Sequence, residues 1–99
     1  MKLETQEIYT FKMNSGEEIV TRIVNIDDKH IEIEHPIVVA LTPQGLQMMP
    51  GIFTSDNTKN VRLNTNSYSM VAETREDVRN NYIQATTGIV PATKQIVMG

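Results

Sequence analysis

The stretch that most limits what this chain can fold into runs from Ser15-Gly16-Glu17-Glu18-Ile19-Val20 through Asp27-Asp28-Lys29 to His30-Ile31-Glu32-Ile33. Asn14-Ser15-Gly16 supplies residues that tolerate positive φ, the chemistry of a tight turn, and Asp27-Asp28-Lys29 supplies a second polar turn. Between them, residues 17–26 carry apolar side chains on both parities, Ile19 and Ile23 on one, Val20, Val24 and Ile26 on the other. A strand apolar on both faces is central, bent, or covered on its second face by another subunit. A β-branched strand entered through a glycine and left at an aspartate, early in a chain of 99 residues, commits the fold to a single small β domain with one modest core.

The flanking segments extend this pattern. In residues 6–13, Tyr9, Phe11 and Met13 share one parity and Thr10 and Lys12 the other, a half-buried strand. In the third strand Ile31, Ile33, Ile37, Val39 and Leu41 form one row with His35 as its polar member, while His30, Glu32 and Glu34 form the other row up to Pro36. Proline cannot donate to a ladder, so Pro36 predicts an edge position or a bulge at which the strand bends, as a small barrel needs at its corners. Thr42-Pro43-Gln44-Gly45 predicts a turn into a fourth strand over 46–54, interrupted by Pro50-Gly51 and apolar on both sides through Met48, Met49, Ile52 and Phe53. The polar stretch 55–60 predicts an exposed loop. Val61 and Leu63 then share one parity, and Tyr68, Met70 and Ala72 the opposite one, so a tight turn or bulge is expected at Asn64-Thr65-Asn66-Ser67. The spacing predicts one helix, over about 75–87: Thr74 as N-cap, Glu76 and Asp77 at the positive end of the dipole, the stripe Val78, Tyr82, Ala85, and Gly88 as the stop. The expected fold class is therefore all-β: a bent antiparallel barrel of about five strands over residues 6–73, then a C-terminal helix and an apolar tail over 74–99, in one domain.

Composition narrows function by exclusion. There is no cysteine, hence neither a disulfide framework nor a thiol nucleophile nor a thiolate metal site, which fits the cytoplasm. No apolar run approaches the ~18–20 residues of a membrane span, and the N-terminus lacks the apolar core of a secretory signal. On a strand His30, Glu32 and Glu34 share a face from which His35 points away, so no compact metal-ligand set is expected. No Ser/His/Asp grouping, glycine-rich phosphate loop or carboxylate pair points to catalysis, so the expectation is a protein that is not an enzyme and takes no cofactor. The formal net charge is −3, with 9 Lys+Arg against 12 Asp+Glu, and this weighs against a broad nucleic-acid-binding face.

The strand and turn order resembles the Sm-like (LSm) family of small SH3-type barrels over residues 6–73. Sm-like proteins of eukaryotes and bacteria carry their helix before the first strand, whereas here it follows the last. The whole chain is similar to short Sm-like proteins of tailed phages, including cyanophages, through Gly16-Glu17-Glu18-Ile19-Val20, Pro36-Ile37-Val38-Val39, Gly45-Leu46, Pro50, Glu73, Tyr82 and Gly88-Ile89-Val90 in that order. The resemblance implies a homo-oligomeric ring of about five to seven subunits, closed by the last strand pairing with the neighbour's fourth strand. It also implies single-stranded RNA held at the pore by two loops. The first is Asp28-Lys29-His30, followed by Glu32 where the family has a base-reading Asn; an ionised Glu only accepts hydrogen bonds. The second is Arg62-Leu63-Asn64-Thr65-Asn66-Ser67, without the family's Arg-Gly pair.

The candidate RNA-binding residues are accordingly Asp28, Lys29, His30, Arg62, Asn64, Asn66 and Ser67. Their bland counterparts are an ordinary aspartate turn with a solvated lysine, and plain Asn-rich turn chemistry. Two functions stay open: an RNA chaperone or scaffold ring in the cytoplasm of a bacterial host, or a ring-forming phage-type interaction or assembly module without nucleic acid.

Overall fold

The computed structural model describes residues 2–87. Among the described residues six strands precede one helix: β1 (Ile8–Met13), β2 (Glu18–Ile26), β3 (His30–Thr42), β4 (Gly45–Pro50), β5 (Val61–Asn64), β6 (Tyr68–Glu73) and α1 (Glu76–Thr86). All pairings are antiparallel, in the order β4-β3-β2-β1-β6, with β5 pairing β3. The expected β-rich fold with a single helix after the last strand is what the structure shows. Among the described residues there are six strands instead of five because residues 65–67 form a turn and not a bulge, which separates β5 on β3 from β6 on β1. β4 and β5 run one after the other along the same edge of β3, facing residues 37–42 and 30–33 respectively. Residues 51–60 loop out between them. The fourth strand thus stops at Pro50 and does not reach 54: Pro50 has no amide proton to continue a ladder, and the Gly51 amide turns to donate to the Pro36 carbonyl at 2.7 Å. Ile52 and Phe53 consequently lie exposed, Phe53 by 78%.

The row Ile31 to Leu41 does not stay on one face. Val20 pairs with Ile37 and Arg22 with Glu34, so Thr21 alone stands opposite both His35 and Pro36. This β-bulge sits where the proline marked a bend, with His35 at φ 49°, and one extra residue reverses which face later side chains occupy. Ile31 and Ile33 therefore pack with Tyr9, Phe11, Ile23 and Leu63 inside the barrel-like curl, where the Phe11 and Tyr68 rings meet edge-on at 4.9 Å. Ile37 instead joins Ile8, Val20 and Met48 beneath the helix residues Val78 and Tyr82. Adjacent residues of β1, Ile8 and Tyr9, divide between the two clusters, as alternation across a strand requires. Leu41, at the far end, is 82% exposed.

A bulge interrupts backbone pairing, and the helix repairs it. The Tyr82 hydroxyl accepts from the Arg22 amide at 3.1 Å and donates to the Glu34 carbonyl at 2.7 Å, where the buried Thr21 hydroxyl also donates at 2.7 Å. Burial, foremost, pushes the Tyr82 hydroxyl up to about 12. The helix start differs from expectation: the N-cap is Arg75 and not Thr74, and no side chain caps it. Thr74 faces the sheet, sharing a hydrogen bond with the Thr10 hydroxyl at 3.0 Å. The acidic first turn is present, with Asp77 held by Arg75 at 2.6 Å and accepting from the Val78 amide. Gly88, expected to stop the helix, and the apolar tail lie outside the described residues.

Candidate nucleic-acid interface

Two turns build the site. In the first, between β2 and β3, the Asp27 amide donates to the His30 carbonyl at 3.0 Å, and the Asp27 carboxylate lies 3.4 Å from His30 Nε2. That contact fixes the imidazole, which is half-buried, while Asp28 and Lys29 project into solvent. In the second, between β5 and β6, Asn64 acts as a turn former: its Oδ1 accepts from the Asn66 amide at 2.9 Å and its carbonyl from the Ser67 amide at 3.0 Å. The turn between β1 and β2 supports this loop, since Asn14 donates to the carbonyls of Ser67 and Asn66.

Thr65 locks the two turns together. Its amide and its hydroxyl both donate to the Lys29 carbonyl, at 3.1 and 3.0 Å. Strand register does the rest by setting His30 opposite Asn64 and Glu32 opposite Arg62. The result is one open cleft of about 580 Å³, lined by Asp28, Lys29 and His30 from one side and Arg62, Asn64, Thr65 and Asn66 from the other. Six of the seven residues singled out from sequence meet there. Ser67 does not line the cleft; its hydroxyl is committed to the Asn64 carbonyl. Thr65 is the residue that sequence reasoning missed, because a threonine inside an Asn-rich turn carries no mark of a partner 36 positions away.

Among the described residues neither Lys29 nor Arg62 has a salt-bridge partner, whereas Arg22 is engaged by Glu34 at 3.2 Å and Arg75 by Asp77. The cleft therefore offers two unengaged cations, a fixed imidazole, two amides and one carboxylate, a set suited to binding a polar, anionic ligand by contact. Among the described residues no group of three or more His, Asp or Glu side chains is placed to hold a metal ion, and no helix is long and apolar enough to cross a membrane.

A second feature is the pair of sheet edges. Among the described residues β4 pairs only with β3 and β6 only with β1, so each leaves one side of its backbone unpaired there. Both present exposed methionines, Met49 on β4 and Met70 on β6. No protein-family model matches this chain, and no curated protein is significantly similar to it.

Proposed function

We propose that this chain is an Sm-like protein that closes into a homo-oligomeric ring and holds single-stranded RNA, as a chaperone or scaffold in the cytoplasm of a phage-infected bacterium. The observation that carries the reading is the Thr65–Lys29 lock, which joins two separate loops into one cleft containing unengaged Lys29 and Arg62. His30 is the stacking surface for a base, Lys29 and Arg62 meet phosphates, and the Asn64 and Asn66 amides read polar edges. The ring assembles by β6 of one copy adding to the free edge of β4 in the next, which satisfies both unpaired backbones. Repetition of the cleft around the ring multiplies a weak contact through effective concentration.

The test is binding of a short single-stranded oligonucleotide as a function of salt, together with the absorbance at 260 nm of the freshly purified protein. Lys29→Ala and Arg62→Ala should flatten the salt dependence, and His30→Ala should weaken binding at every salt concentration. Absence of binding at low salt ends the RNA reading. The net charge of −3, with Asp27, Asp28 and Glu32 around the cleft, favours the second reading in that case: a ring-forming assembly module without nucleic acid.

A further inference from the structure

We infer that the cleft selects guanine among the bases, with the Asp28 carboxylate as the selecting group; this rests on the nucleic-acid reading above. The argument is an inventory of what the cleft has left to offer. Asn64 Oδ1 is taken by the Asn66 amide, the Thr65 hydroxyl by the Lys29 carbonyl, and His30 Nε2 faces the Asp27 carboxylate. Among the described residues the Asp28 carboxylate has no hydrogen-bond or salt-bridge partner, although its own amide donates to Asp27. Asp28 is thus the unengaged side chain that only accepts, in a cleft whose other free groups are the donors of Lys29, Arg62 and the Asn64 amide nitrogen together with the Asn66 side-chain amide, which both donates and accepts.

The four bases present different edges to such a set. Guanine alone shows two adjacent donors, N1–H and the N2 amino group, which match the two oxygens of one carboxylate. Its O6 and N7 are adjacent acceptors that match a guanidinium. Uracil flanks its single N3–H with two carbonyl oxygens, which a carboxylate repels. Cytosine and adenine each put one donor beside one acceptor, so half of a carboxylate contact is lost. Glu32, next to the cleft and opposite Arg62, adds a second acceptor-only group on the same outward row of β3 as His30, and tilts the field further against uracil.

The experiment compares hexa-adenylates carrying one central guanine, cytosine or uracil, by fluorescence anisotropy at low and moderate salt. A single guanine avoids self-association of the probe. The expected result is binding tighter for guanine than for uracil by on the order of tenfold, the discrimination typical of a bidentate pair. In Asp28→Asn, whose amide can donate to a uracil oxygen, that ratio should fall to about twofold or less while the salt slope stays unchanged. Circular dichroism of the variant should match the parent, since Asp28 is exposed. If uracil binds as well as guanine, or if the preference survives in Asp28→Asn, the inference is overturned while RNA binding stands. If no oligonucleotide binds at low salt, both fall together.

Discussion

Tyr82 closes the gap that the His35–Pro36 bulge opens, and a mutant cycle with Thr21 measures that closure. In Tyr82→Phe the ring still fills its fully buried site, but the Arg22 amide loses its acceptor and the Glu34 carbonyl loses one of two donors. A buried donor left unpaired costs roughly 1–3 kcal/mol. Thr21→Val removes the other donor to the same carbonyl and costs less, about 0.5–1.5 kcal/mol, because Tyr82 still serves it. In the double variant the Glu34 carbonyl keeps no side-chain donor, so the losses should exceed their sum by about 1 kcal/mol. Urea unfolding at fixed protomer concentration is the assay, since assembly would otherwise shift apparent stability, and unchanged m-values keep the comparison on the folded state. For a domain of this size Tm should fall by roughly 4–8 °C per kcal/mol. Additivity within about 0.3 kcal/mol, or a Tyr82→Phe cost below about 0.5 kcal/mol, would refute the claim that the helix repairs the bulge.

Other consequences can be checked separately. Because burial raises the Tyr82 hydroxyl to about 12 from an unfolded value near 10, its contribution is fully present below pH 10 and is lost as pH rises through 12; the fall in stability over that window should be distinctly smaller in Tyr82→Phe. A Cβ at residue 51 would lie 3.0 Å from the Pro36 carbonyl oxygen, so Gly51→Ala should cost about 1–3 kcal/mol by crowding and shift the bulge resonances in NMR spectra. Gly16→Ala meets nothing within 4 Å and should act through backbone strain alone at φ +104°, costing at least about 1 kcal/mol with spectral change confined to the turn. If β4 and β6 edges pair between copies, Met49→Glu combined with Met70→Glu should convert the assembly to monomer in sedimentation without altering far-UV circular dichroism; an unchanged assembly removes the edge-pairing proposal.

Turns and alternation were legible because they depend on neighbours in sequence. Gly16 at φ +104°, the exposed loop at 55–60 and the outward row His30, Glu32 behave as local chemistry requires. Pro36 announced a bend, but nothing local says which face Ile37 takes afterwards. That follows from one residue, Thr21, facing two across the ladder, a relation between segments 14 positions apart. Thr74 is not the cap for the same reason: its hydroxyl could serve the helix, yet Thr10, brought alongside by the pairing of β1 with β6, takes it. Much the same limit governed the site. The two polar turns could be named separately, while their junction through Thr65 and Lys29 depends on β5 lying against the first residues of β3.

The acidic balance and an RNA site are reconciled by counting cations where they act. If the proposed ring forms, each subunit places two cations that are unengaged among the described residues, Lys29 and Arg62, in its cleft, against the nearby Asp28 and Glu32. Single-strand binding that neutralises two phosphates should give a slope of log affinity against log salt near −1.4, and each further subunit engaged by the same strand should add about as much. A short probe confined to one cleft and a longer one spanning several should therefore differ in slope by near-multiples of that increment. Lys29→Ala should halve the increment without changing its multiplicity. A slope that stays near zero for long and short probes alike would mean that Lys29 and Arg62 meet no phosphates, and the proposed ring would then have to be read as a protein module.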